Sequence, residues 1–161
     1  MNCHNIFDVK MKYFHRKIRL LAGVHVTETP SAINYVSLVS REMVRIALKL
    51  SALNNLPVRV ADIQNYYIKA PVTESIWTVL GPEFGEHARN KAIVVHDLYG
   101  LKSSGAAFRN HLIYCMHHLG FLPCPADLYL WMKPMERPED GFNYYADVLI
   151  YVDDVMVIHH N

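Results

Sequence analysis

The end of the chain holds two runs of β-branched and apolar residues, Val148–Val152 and Val155–Ile158, separated only by Asp153 and Asp154. Runs this short and this rich in valine and isoleucine read as strands, and a two-residue gap joins them as a tight antiparallel hairpin. The chain is thereby committed to an antiparallel sheet with two adjacent carboxylates at the tip of one turn. Aspartate is poor in strands, and a like-charged pair repels unless a cation neutralises it. Upstream, Val58, Val60 and Asp62 fall on one face of a further strand that ends at the acid. If the two strands are neighbours, three carboxylates converge on the oxygen-only geometry that Mg2+ accepts. Aspartate is equally an ordinary turn residue, so spacing alone leaves both readings open.

The rest of the chain mixes strands with two helices, which predicts an α+β domain. Residues 18–26 read as a strand and 27–35 as a polar connection. Met43, Val44, Ala47, Leu48 and Leu50 recur near helical period between Ser40, a cap, and Asn54, Asn55 and Pro57, which stop the helix. Residues 76–80 and 92–96 are further short strands, separated by a Gly81-Pro82 turn and a polar stretch. A glycine-containing segment, 99–105, leads into a second helix with Phe108, Leu112, Cys115 and Leu119 on its apolar face, ending at Gly120. Residues 128–132 form a strand, and 136–141 form a charged turn.

Composition excludes several classes of function. At 161 residues and 52% hydrophobic content the chain can bury one ordinary core, and its 19% of charged residues nearly cancel. That balance fits neither a polybasic tail nor an acidic disordered chain. It hides a gradient, from eight basic and three acidic residues in positions 1–50 to four and seven in 101–161. Cys3, Cys115 and Cys124 are odd in number and lack CxxC spacing, which argues against a disulfide framework and a cysteine zinc site. The adjacent pairs His117-His118 and His159-His160 point in different directions and chelate poorly. No secretory signal and no run of membrane-spanning length is present, so the expectation is an intracellular, soluble protein with no membrane partner.

Four ordered boxes resemble one family. Tyr151-Val152-Asp153-Asp154 resembles the YxDD box of reverse transcriptases, and the segment from Asp62 to Pro71 is similar to their first aspartate motif. Leu98-Tyr99-Gly100-Leu101-Lys102, continuing to Phe108, is similar to the LYGLK box of the Copia-type branch of long-terminal-repeat retrotransposons. Arg16 to Gly23 resembles the K-A-R-L-V-A-G segment near the front of the same domain, with Val39 to Glu42, Ala52 to Asn54, and Ala126-Asp127 as lesser matches. A lone YVDD is weak; four boxes in family order and spacing are specific.

The resemblance implies the fingers and palm of a right-hand polymerase: fingers over about 1–56, mostly palm with interleaved fingers elements over about 57–161, and an antiparallel palm sheet with packed helices. It implies RNA-directed DNA polymerase activity on a template-primer of RNA or DNA, with deoxynucleoside triphosphates as substrates and two Mg2+ or Mn2+ ions as cofactors. Asp62, Asp153 and Asp154 are the implied catalytic acids and metal ligands, with the carbonyl of Ile63 completing the set. Lys17 and Arg19 are implied on the triphosphate, whose oxygens suit ammonium and guanidinium donors, or else form a solvated basic strand face. Tyr67 is implied beneath the sugar, and Tyr99, Gly100 and Lys102 against the incoming nucleotide and template. Tyr151 is implied near the primer end. Without the family, these tyrosines read as packing aromatics and Gly100 as a loop residue.

The match has departures. Tyr66 stands where the family usually has alanine, and a phenol there is expected to crowd the triphosphate. His96-Asp97 replace a basic and a small residue, and Leu128-Tyr129 replace a proline-led continuation. The sequence stops seven residues after Asp154, so the implied domain is partial, without thumb or RNase H, and its implied partner is the remainder of a Pol polyprotein. Two functions follow: a polymerase core, or a non-catalytic remnant that retains metal or nucleic-acid binding.

Overall fold

The computed structural model describes residues 3–10, 14–23 and 38–160. Helix and sheet are mixed, and every ladder among these residues is antiparallel, as expected for an α+β chain. The elements run β1 (Cys3–Lys10), β2 (His15–Ala22), α1 (Arg41–Leu53), β3 (Val58–Asp62), β4 (Pro71–Val79), β5 (Lys91–His96), α2 (Ser104–His118), β6 (Leu122–Cys124), β7 (Asp127–Glu136), β8 (Asn143–Tyr151) and β9 (Asp154–Ile158). Short 3-10 turns occupy Tyr67–Lys69 and Pro82–His87. The strand expected over 18–26 ends at Ala22; its remainder from 24, and the polar connection over 27–35, lie outside the described residues. Among the described residues no helix is long and apolar enough to cross a membrane.

The chain divides into two compact units, each made from two stretches: residues 1–36 with 65–111, and residues 37–64 with 112–161. In the first unit, β1 pairs with β2 and β4 with β5. Ala22, Ile76, Val94 and Leu101 form its apolar cluster. The carbonyl of Tyr99 accepts from the Ala22 N–H at 2.8 Å, which fixes the 98–102 loop along β2.

The second unit is a five-stranded sheet in the order β3-β9-β8-β7-β6. Residues of α1, the loop before it and the loop after it (Val39, Ala47, Leu56) cluster with Leu130, Leu149 and Ile158 of the sheet. Met116 clusters with Trp131, Val148 and Ile150, and Leu112 and Ile113 pack against the same group. Leu149 and Ile150 are consecutive in β8 and so face opposite sides, which is why this strand is buried almost throughout.

α1 begins and ends where its sequence dictates. Ser40 is extended, and its hydroxyl accepts from the Met43 N–H at 3.2 Å. The Ser40 N–H in turn donates to Asp127 Oδ2 at 3.0 Å, tying the cap to the start of β7. Asn54 closes the far end, with its backbone and side-chain amides both donating to the Leu50 carbonyl. Of the apolar residues at helical period, Leu48 and Leu50 are exposed, and the buried stripe is Ala47 and Ser51 with Met43 and Val44 beside it. Leu119, just past the end of α2, is likewise exposed, and Met116 within the helix is buried instead.

Candidate active site

The hairpin acids stand one residue away from the expected register. Tyr151 and Asp154 are the closing pair of the β8·β9 ladder, and the two-residue turn is Val152-Asp153. Asp154 therefore begins a strand, and Asp153 alone of the two lies in the turn. Val152 has φ 56°, the left-handed region that a β-branched residue avoids. Positive φ at the first central residue is the type II′ pattern, which matches strand twist but normally requires glycine. The strain, of order 1–3 kcal/mol, is held by pairing on both sides.

The condition on which the three acids could converge, that the Asp62 strand neighbours the hairpin, holds. β3 pairs with β9 so that Asp62 lies directly opposite Asp154, Val60 opposite Met156 and Val58 opposite Ile158. The Ile63 N–H donates to the Asp153 carbonyl at 2.7 Å, continuing the pairing past the strand end. Asp62 and Asp154 are exposed and Asp153 is half-buried. Directly opposed residues share a face of the sheet, so two carboxylates of like charge are held side by side.

The third carboxylate does not join them in a closed cluster. Among the described residues no three His, Cys, Asp or Glu side chains are grouped to hold a metal ion. The cause is the register: Asp153 precedes Asp154 directly, and neighbouring residues at a strand end diverge. The donor set, all oxygen and anionic, fits a hard divalent cation in kind. A cation held there would offset the repulsion between Asp62 and Asp154.

In the first unit, the expected nucleotide-binding residues fall on β2, the Tyr67 turn and the 98–102 loop. The Arg19 guanidinium carbon lies 5.7 Å from the centre of the Tyr99 ring, a cation–π contact. The Tyr99 ring meets Tyr67 edge-on at 5.1 Å, and Tyr67 meets Tyr66 edge-on at 4.9 Å. Lys17 stands opposite Asp8 across the β1·β2 ladder, and Lys102 is exposed in the loop. Arg19, Tyr99 and Tyr67 thus form one contiguous row.

Two residues here have contacts within the first unit that their sequence positions did not show. Tyr66 does not project into open space: it is 5% exposed, and its ring stacks on Phe108 with centroids 3.6 Å apart. Gly100 has φ 93°, and a Cβ there would lie 2.7 Å from the Ala22 carbonyl oxygen. The close approach that glycine permits at this position is therefore to the chain's own β2.

Two buried acids went unrecognised as such in the sequence. Asp97 is fully buried; its N–H donates to the Ala70 carbonyl at 3.0 Å. Burial pushes its carboxyl up to about 6, against the opposing effect of the Ser104 hydroxyl, 3.4 Å from Oδ1. Asp147, in β8, is pushed up to about 6 by burial alone. Asp97 was visible only as a departure beside the LYGLK box, and Asp147 carried no signal beyond being an acid in an apolar run. The histidine pairs do not form chelating sites: His159 Nδ1 shares a 3.0 Å hydrogen bond with the Tyr144 hydroxyl, and the His117 ring lies edge-on to Trp131.

No curated protein and no solved structure matches the chain. The profile of the family described as reverse transcriptase (RNA-dependent DNA polymerase) matches residues 6–161. With the match spanning nearly all of the sequence, the chain belongs to the reverse transcriptase family.

Proposed function

We propose that the chain is the RNA-directed DNA polymerase core of a Copia-type retrotransposon, working as part of a longer Pol polyprotein. The observation that carries the reading is the direct opposition of Asp62 and Asp154, with Asp153 tied by its backbone to Ile63. The Copia assignment rests on the Leu98–Lys102 box and its continuation to Phe108. The second unit corresponds to palm, since it carries the acids on an antiparallel sheet, and the basic strand and LYGLK loop belong to fingers elements.

Asp62, Asp153, Asp154 and the Ile63 carbonyl would hold two Mg2+ or Mn2+ ions. When bound, such ions activate a primer 3′-hydroxyl and neutralise the charge of departing pyrophosphate. The chain's own side chains bind and orient. Lys17 and Arg19 donate to triphosphate oxygens, and the Tyr99 ring limits where the Arg19 guanidinium can lie. Tyr67, braced edge-on by Tyr66 and Tyr99, bounds the sugar; Gly100 and Lys102 border base and template, and Tyr151 the primer end. The primer oxygen attacks the α-phosphorus and the bond to pyrophosphate breaks, so no protein nucleophile is used.

A non-catalytic remnant is the second reading, favoured by the lack of a three-acid group among the described residues. Primer extension on poly(rA)·oligo(dT) with Mn2+ separates the two, comparing the chain with Asp153→Asn. Extension that disappears in the variant supports a working core, and its absence from both, with folding retained, supports the remnant.

A further inference from the structure

Asp147 has no part in the proposed polymerase chemistry, yet it is the most conspicuous charge of the second unit. It lies in the middle of β8, opposite Met132 of β7, and Ile158 of β9 is its partner on the other side. Neither neighbour offers a donor. Asp147 is 6% exposed, and its Oδ1 is buried with no hydrogen-bond partner. A carboxylate oxygen buried without a donor is costly and calls for a counter-charge.

Asp147 also lines a cavity of about 260 Å3 beside α1. The floor is buried and mostly apolar, formed by Leu56, Ile158 and Tyr144 with Ser51, whose hydroxyl donates to the Leu56 carbonyl at 2.6 Å. The rim is exposed at Leu50, Phe142 and Tyr145, so the cavity is open to solvent there. Arg137, beside Phe142 of the rim, is committed elsewhere: it donates to the Asn54 carbonyl at 2.7 Å and pairs with Asp140, while its guanidinium lies 5.1 Å from the Phe142 ring centre.

We propose that this cavity is a binding site for a small organic ammonium ion, whose charge meets Asp147 and whose hydrocarbon body fills the apolar and aromatic walls. The combination decides the class. A hard metal ion needs several anionic oxygens, whereas among the described residues Asp147 is the only acid lining the cavity. A neutral apolar ligand would leave the carboxylate unpaired. An ammonium with an alkyl or aryl body satisfies the acid and gains from the aromatic rings of the lining. The inference does not depend on polymerase activity.

The test is calorimetric titration of the full chain with benzylammonium chloride at constant ionic strength, with benzyl alcohol as the neutral analogue. Saturable binding of benzylammonium is expected, with benzyl alcohol and the Asp147→Asn variant each weaker by about tenfold or more. Leu50→Trp, which narrows the rim and leaves the acid in place, should weaken binding as well. Benzyl alcohol binding as tightly as the cation to the unaltered chain, equal benzylammonium affinity in Asp147→Asn, or no saturable binding to the folded chain would each overturn the assignment.

Discussion

Asp62 and Asp154 are direct partners across the β3·β9 ladder, so the strand that ends in one acid is hydrogen-bonded to the strand that begins with the other. Two like charges in that relation destabilise a sheet by about 0.5 kcal/mol, and the cost vanishes when either is neutralised or a cation lies between them. Mn2+ should therefore raise the melting temperature of the chain. The increase should be lost in Asp62→Asn and Asp154→Asn, while both variants melt slightly above the parent in metal-free buffer. Differential scanning fluorimetry with and without Mn2+ measures both effects, and equal metal shifts in parent and variants would remove the acids from any metal site.

The strain at Val152 gives a separate handle on the hairpin. Its φ of 56° sits where glycine is unstrained and valine is not. Val152→Gly should stabilise the chain by about 1 kcal/mol in urea denaturation, the relief of strain exceeding the added freedom of the unfolded chain. The same change should loosen the position of Asp153. If the strained turn holds that acid for catalysis, primer extension should fall even as stability rises.

The elements whose signals are local were legible in the sequence. Ser40 caps α1 and Asn54 ends it because capping is decided by a few adjacent atoms. The pairing of the Asp62 strand with the hairpin was expected only conditionally, since ladder partners far apart in sequence leave no periodic trace. The hairpin turn was displaced by one residue because aspartates favour turns more than valine does, and tertiary pairing overrode that preference at Val152. β1 was not anticipated: Ile6, Phe7 and Val9 are all exposed, so no apolar alternation marks it. Leu119 follows the last residue of α2, where helical spacing no longer applies, and it points to solvent. Asp97 and Asp147 were illegible because burial of an acid is a property of packing.

Tyr66 reads from its position as an obstruction, and from its contacts as a structural ring. Replacing it with alanine removes the stack on Phe108 and leaves a void in the first unit, at a cost of about 3 kcal/mol. Tyr66→Ala should therefore lower the urea midpoint substantially. A gain in nucleotide affinity for Tyr66→Ala without loss of stability would restore the view of the ring as an obstacle.

Gly100 is fixed by its conformation and by its neighbour. A methyl group at φ 93° is strained and would meet the Ala22 carbonyl at 2.7 Å, against backbone that cannot rotate away. Gly100→Ala should cost about 2 kcal/mol. Hydrogen exchange localises the effect: the Ala22 amide, which donates to the Tyr99 carbonyl, should lose protection far more than the amides of β8. Uniform loss across both units would mean global destabilisation rather than release of the loop.

Among the described residues, Asp97 and Asp147 give stability a distinctive pH dependence. Burial raises both from 3.8 to about 6, so between roughly pH 4 and pH 6 the folded chain holds protons that the unfolded chain has released. Stability must then fall as pH rises through that window and level off above it, the reverse of an ion-paired carboxylate. A shift of this size corresponds to about 3 kcal/mol for each acid at neutral pH. Asp97→Asn and Asp147→Asn should each be more stable than the parent at pH 7, and the two should converge with it near pH 4. The gain at Asp97 should be the smaller, because the amide inherits a site where Oδ1 already faces the Ser104 hydroxyl and Oδ2 has no partner. Urea denaturation of the parent and both variants from pH 4 to pH 8 measures the slopes. A parent whose stability rises through this window, or variants that keep its slope, would show that these carboxyls titrate normally.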